Sequence, residues 1–123
     1  MNRYSCLTIC LFVLLISCAT QQVSYRNDIA PILQKRCVTC HMAPEGRAYK
    51  TIGLKLDSYD ALMQGTIYGP IIVAGDSRRS ILNMFVEGRA AKVQCMAHQY
   101  SGPMNEQERE LLSDWVNQGA LNN

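Results

Sequence analysis

Five consecutive residues, Cys37-Val38-Thr39-Cys40-His41, carry the densest chemistry in this 123-residue sequence. On a helix, two thiols three positions apart and an imidazole one position further fall on one side of a single turn. That spacing lets both sulfurs form thioethers with the two vinyl groups of one porphyrin, while the histidine reaches the iron from the same side. The expected cofactor is therefore one covalently attached haem c, held by Cys37 and Cys40 with His41 as the proximal iron ligand. Zinc is the competing chemistry. Cys95-Met96-Ala97-His98 is a second C-x-x-H pair, and Cys37, Cys40, Cys95 and His98 would make a Cys3His site. Residues 41–94 make a long connection for a zinc ribbon, and that reading gives His41 no task. A thiol-exchange C-x-x-C of the thioredoxin type expects a βαβ pattern around it, and none is visible.

The remaining cysteines fit an exported protein. Arg3 precedes an apolar run from Cys6 to Ile16, shorter than the roughly 20 residues a membrane-spanning helix needs and suited to an export signal. Its end, Leu15-Ile16-Ser17-Cys18, resembles the lipobox of bacterial lipoproteins, in which the cysteine is lipidated and becomes the first mature residue. An uncleaved N-terminal anchor is the alternative. The expected division is a signal peptide over 1–17, a polar tether over 18–23, and one domain over 24–123. Cys6 and Cys10 then leave with the signal, Cys18 takes lipid, and only Cys95 remains, so no structural disulfide can form without undoing a better assignment. The location expected is periplasm-facing and lipid-anchored, with Ala19 after Cys18 favouring an outer membrane under enteric sorting. Several acyl chains on one cysteine would make that anchorage stable.

Composition narrows the rest. Twelve basic residues against ten acidic ones, unclustered apart from Arg78-Arg79, argue against a nucleic-acid binder. A hydrophobic content of 48% is ordinary for a globular chain, and the length suits one domain.

The elements that must position the motif read as helices throughout. Ser24 can cap a helix in which Ile29, Ile32, Leu33, Arg36, Cys37, Cys40 and His41 share one stripe, with Pro31 tolerable near its start. Residues 42–57, with Pro44, Gly46 and Gly53, read as a loop. Asp57-Ser58 can cap a short helix over 59–64 that Gly65 ends. After a loop over 65–76, Asp76 or Ser77 can start a helix running to about Glu87, with Ile81, Leu82, Phe85 and Val86 inward. Asn105 and Glu108 form a capping-box-like start to a helix over 106–118, whose stripe is Leu111, Leu112, Trp115 and Val116. No segment alternates as a strand does. The fold class is all-α, and its thin core would be completed by a large planar apolar ligand.

The stretch Tyr25-Arg-Asn-Asp-Ile-Ala-Pro-Ile-Leu-Gln-Lys-Arg-Cys-Val-Thr-Cys-His resembles the opening of class I cytochrome c domains, specifically the planctomycete-type branch. Gly53-Leu-Lys-Leu-Asp-Ser-Tyr, Gly69-Pro70, Gly75-Asp76 before Ser80-Ile-Leu, and Trp115-Val-Asn-Gln-Gly-Ala are similar to that branch too, so the resemblance spans residues 24–120. It implies a small class I cytochrome c-like fold with helices wrapped around one haem and His41 as proximal ligand. It also implies a distal methionine from the loop before the last helix. Met96 leaves a loop of the expected size, although Ala97 stands where the family has proline. His98 and Met104 are the alternatives, Met104 being equally suited to packing under Trp115. Gly69-Pro70 resembles the pair whose carbonyl accepts the proximal histidine's Nδ1 hydrogen; otherwise it is a plain turn. Arg47, Arg78 and Arg79 could pair propionates or stay solvated.

With both axial positions filled, the expected role is not enzymatic. It is one-electron transfer outside the cytoplasm, to and from transient redox proteins or a respiratory complex. The alternatives are a haem-based sensor or ligand-binding module, if the sixth position is not firmly held, and a zinc-stabilised binding protein.

Overall fold

The computed structural model describes residues 21–90 and 104–123. Five α-helices order the described residues: α1 (Ala30–Arg36), α2 (Arg47–Ile52), α3 (Tyr59–Gln64), α4 (Ile81–Val86) and α5 (Glu106–Asn117). No strand occurs among the described residues, only an isolated bridge between Thr66 and Gly69. The all-α expectation holds at that level.

Ser24 is the N-cap foreseen from the sequence. Its Oγ accepts from the Asn27 N–H at 3.1 Å, while Asp28 accepts from the Ser24 N–H at 2.8 Å. The chain then winds through a π-helical turn, Tyr25–Ile29, before α1 begins. The cause lies in Pro31, which has no N–H to donate and whose ring would press on the Asn27 carbonyl in a regular helix. A wider turn ahead of it relieves that clash. The expected helix was to continue through His41; instead α1 ends at Arg36, and Cys37 is its C-cap.

Two other expectations are corrected. The loop over 42–57 contains α2, which Gly53 closes at φ 70°. The helix expected from Asp76 or Ser77 starts only after Ser80. Asp76 is occupied in a closed turn, accepting from the Arg79 N–H at 3.0 Å and pairing with the Arg79 Nε at 2.8 Å. Ser77 is committed to α5, its N–H donating to Asn117 Oδ1 and its Oγ accepting from the Ser113 hydroxyl. The inward face of α4 also differs from the one expected. Leu82 and Asn83 are buried, whereas Ile81 and Phe85, expected inward, are 45% and 41% exposed.

Helix α3 has the bounds and the Ser58 cap expected of it, and α5 carries the full capping box between Asn105 and Glu108. The core forms where α5 passes the first helical segment in the opposite sense. Val23 meets Gln118 at one end, and Arg36 meets Glu108 at the other. Trp115 is wholly buried there, with its indole N–H donating to the Leu121 carbonyl at 2.9 Å. Tyr25 and Tyr59 close around it, their ring centroids 5.7 and 6.4 Å from that of Trp115 and 5.1 Å from each other. Leu33, Leu62, Leu82, Leu112 and Met104 extend the same cluster. The end of the expected tether already belongs to the fold: Val23 is buried, and Gln21 and Val23 both bond to Gln118.

Truncating Trp115 to Ala removes the centre of this cluster and orphans the Leu121 carbonyl. The expected loss is about 3–5 kcal/mol in equilibrium denaturation. Tyr59→Phe, which removes only the hydroxyl bonded to the Ala120 carbonyl at 2.8 Å, should cost about 1 kcal/mol.

Candidate functional site

Cys37 to His41 form a tight turn suspended from the end of α1. The N–H groups of Cys37 and Val38 both donate to the Leu33 carbonyl, at 2.8 and 3.0 Å. The Cys37 carbonyl in turn accepts from the N–H groups of Cys40 and His41, at 3.1 and 3.0 Å. This closure keeps the two cysteines and the histidine within one turn, as the spacing required, although by a capping turn rather than a continuing helix. Val38 faces the interior and is buried, while Thr39 is exposed.

The segment that follows fixes the turn from outside. The Leu56 N–H donates to the His41 carbonyl at 2.8 Å, and the Gly46 N–H donates to that of Met42 at 2.8 Å. Gly46 lies against the motif so closely that a Cβ there would stand 2.6 Å from the Cys40 carbonyl oxygen and 2.5 Å from that of Met42. Both are backbone atoms and cannot swing aside.

The side chains differ in chemical state. Cys37 and Cys40 are half-buried free thiols. Burial pushes the Cys37 thiol up to about 11; Arg36 opposes that shift, and the nearby Cys40 and Glu108 add to it. A thiol held protonated in this way is a poor attacking group for disulfide exchange, which depends on a depressed value. Burial lowers the pKa of His41, favouring the neutral imidazole that ligates metals. Its Nδ1 is enclosed and has no hydrogen-bond partner. Nε2 is thus the nitrogen on the open side of the half-buried ring, where a metal could approach it. Of the two roles open to Gly69-Pro70, the described geometry matches the plain turn, since Nδ1 receives no carbonyl from it. The Gly69 carbonyl is occupied by the Thr66 N–H and hydroxyl, at 2.9 and 3.2 Å.

These features fit a haem attached through the motif: two reduced thiols and a neutral histidine on one turn, with Nε2 accessible. Met42, the residue after His41, is an exposed apolar side chain. Met104 is packed within the core cluster. Met96 and His98, the other distal candidates, lie outside the described residues, as do Cys95 and the lipidation candidate Cys18. Of the arginines considered for propionates, Arg79 pairs with Asp76 at an exposed position.

One functional feature escaped the sequence reading. Glu108 was foreseen only as a capping residue, and it does cap, accepting from the Asn105 N–H at 3.0 Å. The same carboxylate takes Arg36 through both Nε, at 3.0 Å, and Nη2, also at 3.0 Å, and stands 3.6 Å from the Lys35 Nζ. It therefore pins the residue immediately before Cys37 to the first turn of α5. A basic and an acidic residue 72 positions apart on different helices leave no periodic signal, so sequence alone could not reveal this pairing.

Comparison of the chain with protein-family models, curated proteins and solved structures found no significant match.

Two outcomes follow from this geometry. Gly46→Ala should force the 42–46 turn off the motif and cost roughly 1–3 kcal/mol in denaturation, the usual range for overpacking. Glu108→Gln should cost roughly 1.5–3 kcal/mol at neutral pH, as expected for charge-assisted bonds. Burial raises the Glu108 pKa, but the bonds from Arg36 and Asn105 and the charges of Arg36 and Lys35 outweigh it, so the net shift is downward. The contribution of a carboxylate so shifted is complete above the ordinary value of 4.5 and fades as pH falls through the lower folded value. The gap between wild type and Glu108→Gln should therefore close in acid, and denaturation curves at several pH values would check it.

Proposed function

We propose that this chain is a monohaem c-type cytochrome of the class I kind, carrying single electrons between redox partners outside the cytoplasm and anchored by lipid on Cys18. The observation that carries this reading is the C-x-x-C-H turn itself. It combines unpaired, half-buried thiols at Cys37 and Cys40 with a neutral His41 whose Nε2 lies on its open side. Haem bound there would supply an iron that alternates between ferric and ferrous states. Cys37 and Cys40 would hold the porphyrin through thioethers, and His41 would hold the iron through Nε2. The α1 cap and Gly46 keep that turn rigid, which lowers the rearrangement needed when the charge on a bound centre changes. The near-balanced charge of the chain suits brief encounters with partners.

Expression with its own leader in a host competent for c-type maturation should yield a coloured protein. It should show one haem per chain that resists acid-acetone extraction, and a reversible one-electron wave. Cys37→Ala and Cys40→Ala should each leave haem joined by a single bond, with a shifted pyridine-haemochrome band. A colourless purified protein would overturn the proposal. Cys18→Ala should move the protein from the membrane fraction to the soluble fraction, and an unchanged distribution would remove the lipid anchor from it.

A further inference from the structure

Four polar or charged residues are buried among the described residues: Ser77, Ser80, Asn83 and Glu108. Three are accounted for within the protein. Ser77 accepts from Ser113, Ser80 bonds the backbone of Val73 and Asp76, and Glu108 holds Arg36 and Asn105. Asn83 is different. It is 0% exposed, and neither its Oδ1 nor its Nδ2 has a partner. Among the described residues, the one other buried side-chain nitrogen or oxygen left without a partner is Nδ1 of His41.

Asn83 occupies the middle of the inward arc of α4, with Leu82 and Val86 on one flank and Ser80 on the other, while Ile81 and Phe85 face outward. An aliphatic residue would pack there without penalty. A carboxamide shut away from water loses the hydrogen bonds it made in the unfolded chain, and apolar neighbours return none of them. Apart from Nδ1 of His41, the described interior satisfies its polar side chains, so the partner of Asn83 is something the described residues do not supply. The proposed function puts one such group in the interior.

We propose that Asn83 is a haem-positioning residue, donating from Nδ2 to a propionate carboxylate, the strong hydrogen-bond acceptor that a porphyrin brings with it. The inference rests on the haem reading of the Cys37–His41 turn and adds a second, non-covalent point of attachment on a different helix. A donated hydrogen bond draws charge from the carboxylate and weakens its stabilisation of ferric iron. Asn83 thereby favours the reduced state.

The test is the holoprotein with Asn83→Leu, a replacement of similar volume that removes only the polar atoms. The midpoint potential should fall, moving the reduction equilibrium about 3- to 10-fold toward the ferric form, the scale of one hydrogen bond. Denaturation should show the ferrous form losing more stability than the ferric form. Leu112→Ala, a core truncation on α5, should weaken both forms alike and leave the potential in place. Where Asn83→Leu does not accumulate, Asn83→Ala carries the same expectation. Equal losses in both redox states with an unmoved potential would overturn the proposal, because the carboxamide would then serve polypeptide alone. So would no loss at all. A wild-type protein without haem would overturn the functional reading, whereas a haem-loaded wild type with an unmoved variant potential overturns only the role of Asn83.

Discussion

The passage of α5 across the first helical segment holds together what would otherwise be short, separate pieces. Apart from α5, none of the α-helices among the described residues exceeds seven residues, well below the length at which an isolated helix persists in water. Their stability comes from what they cover. Trp115 is the shared surface: Tyr25 from the first segment and Tyr59 from α3 meet on it. The C-terminal residues wrap back to accept its indole hydrogen and the Tyr59 hydroxyl. One aromatic side chain thus joins parts of the chain ninety residues apart.

At the other end of the same crossing the attraction is ionic. The two-pronged contact between Arg36 and Glu108 is nearly dry, both side chains being largely shielded. Desolvation makes such a pair costly unless its geometry is good and its spare lone pairs are used. Glu108 meets that condition by capping α5 with the same carboxylate. The motif turn begins at the next residue, so the placement of Cys37 depends on a contact with a helix seventy positions further along. Gly46 secures the far side of the turn by close approach, where no larger residue fits.

Much of this was legible in the sequence, for identifiable reasons. Caps are local signals, and Ser24, Ser58 and Asn105 all perform as their neighbours predict. The motif is legible because thiol and imidazole spacing on one turn is nearly independent of surroundings. Errors arose where a residue with two possible uses took the one other than the cap. Ser77 bonds to α5 and Asp76 closes a local turn with Arg79, so α4 starts only after Ser80, and Ile81 and Phe85 lie outward. Arg47–Ile52 was hidden by the turn-forming residues on either side of it. Asn83 gave no warning, since a single amide in an apolar stripe is ambiguous until its partners are known.

The bonds around Asn123 have a geometric consequence. Its backbone carbonyl and side chain bind Val23, Ser24, Tyr25 and Arg26. The chain therefore enters the fold at a firmly held point, and Cys37 lies a helix length beyond it, roughly 15–20 Å at the rise of such segments. A force or tether acting through residues 1–20 would hold the domain by one pole and present the Cys37–His41 turn at the other. Rotation about that pole would sweep the turn through a broad arc of solvent, so a short leash need not restrict which neighbours it can reach.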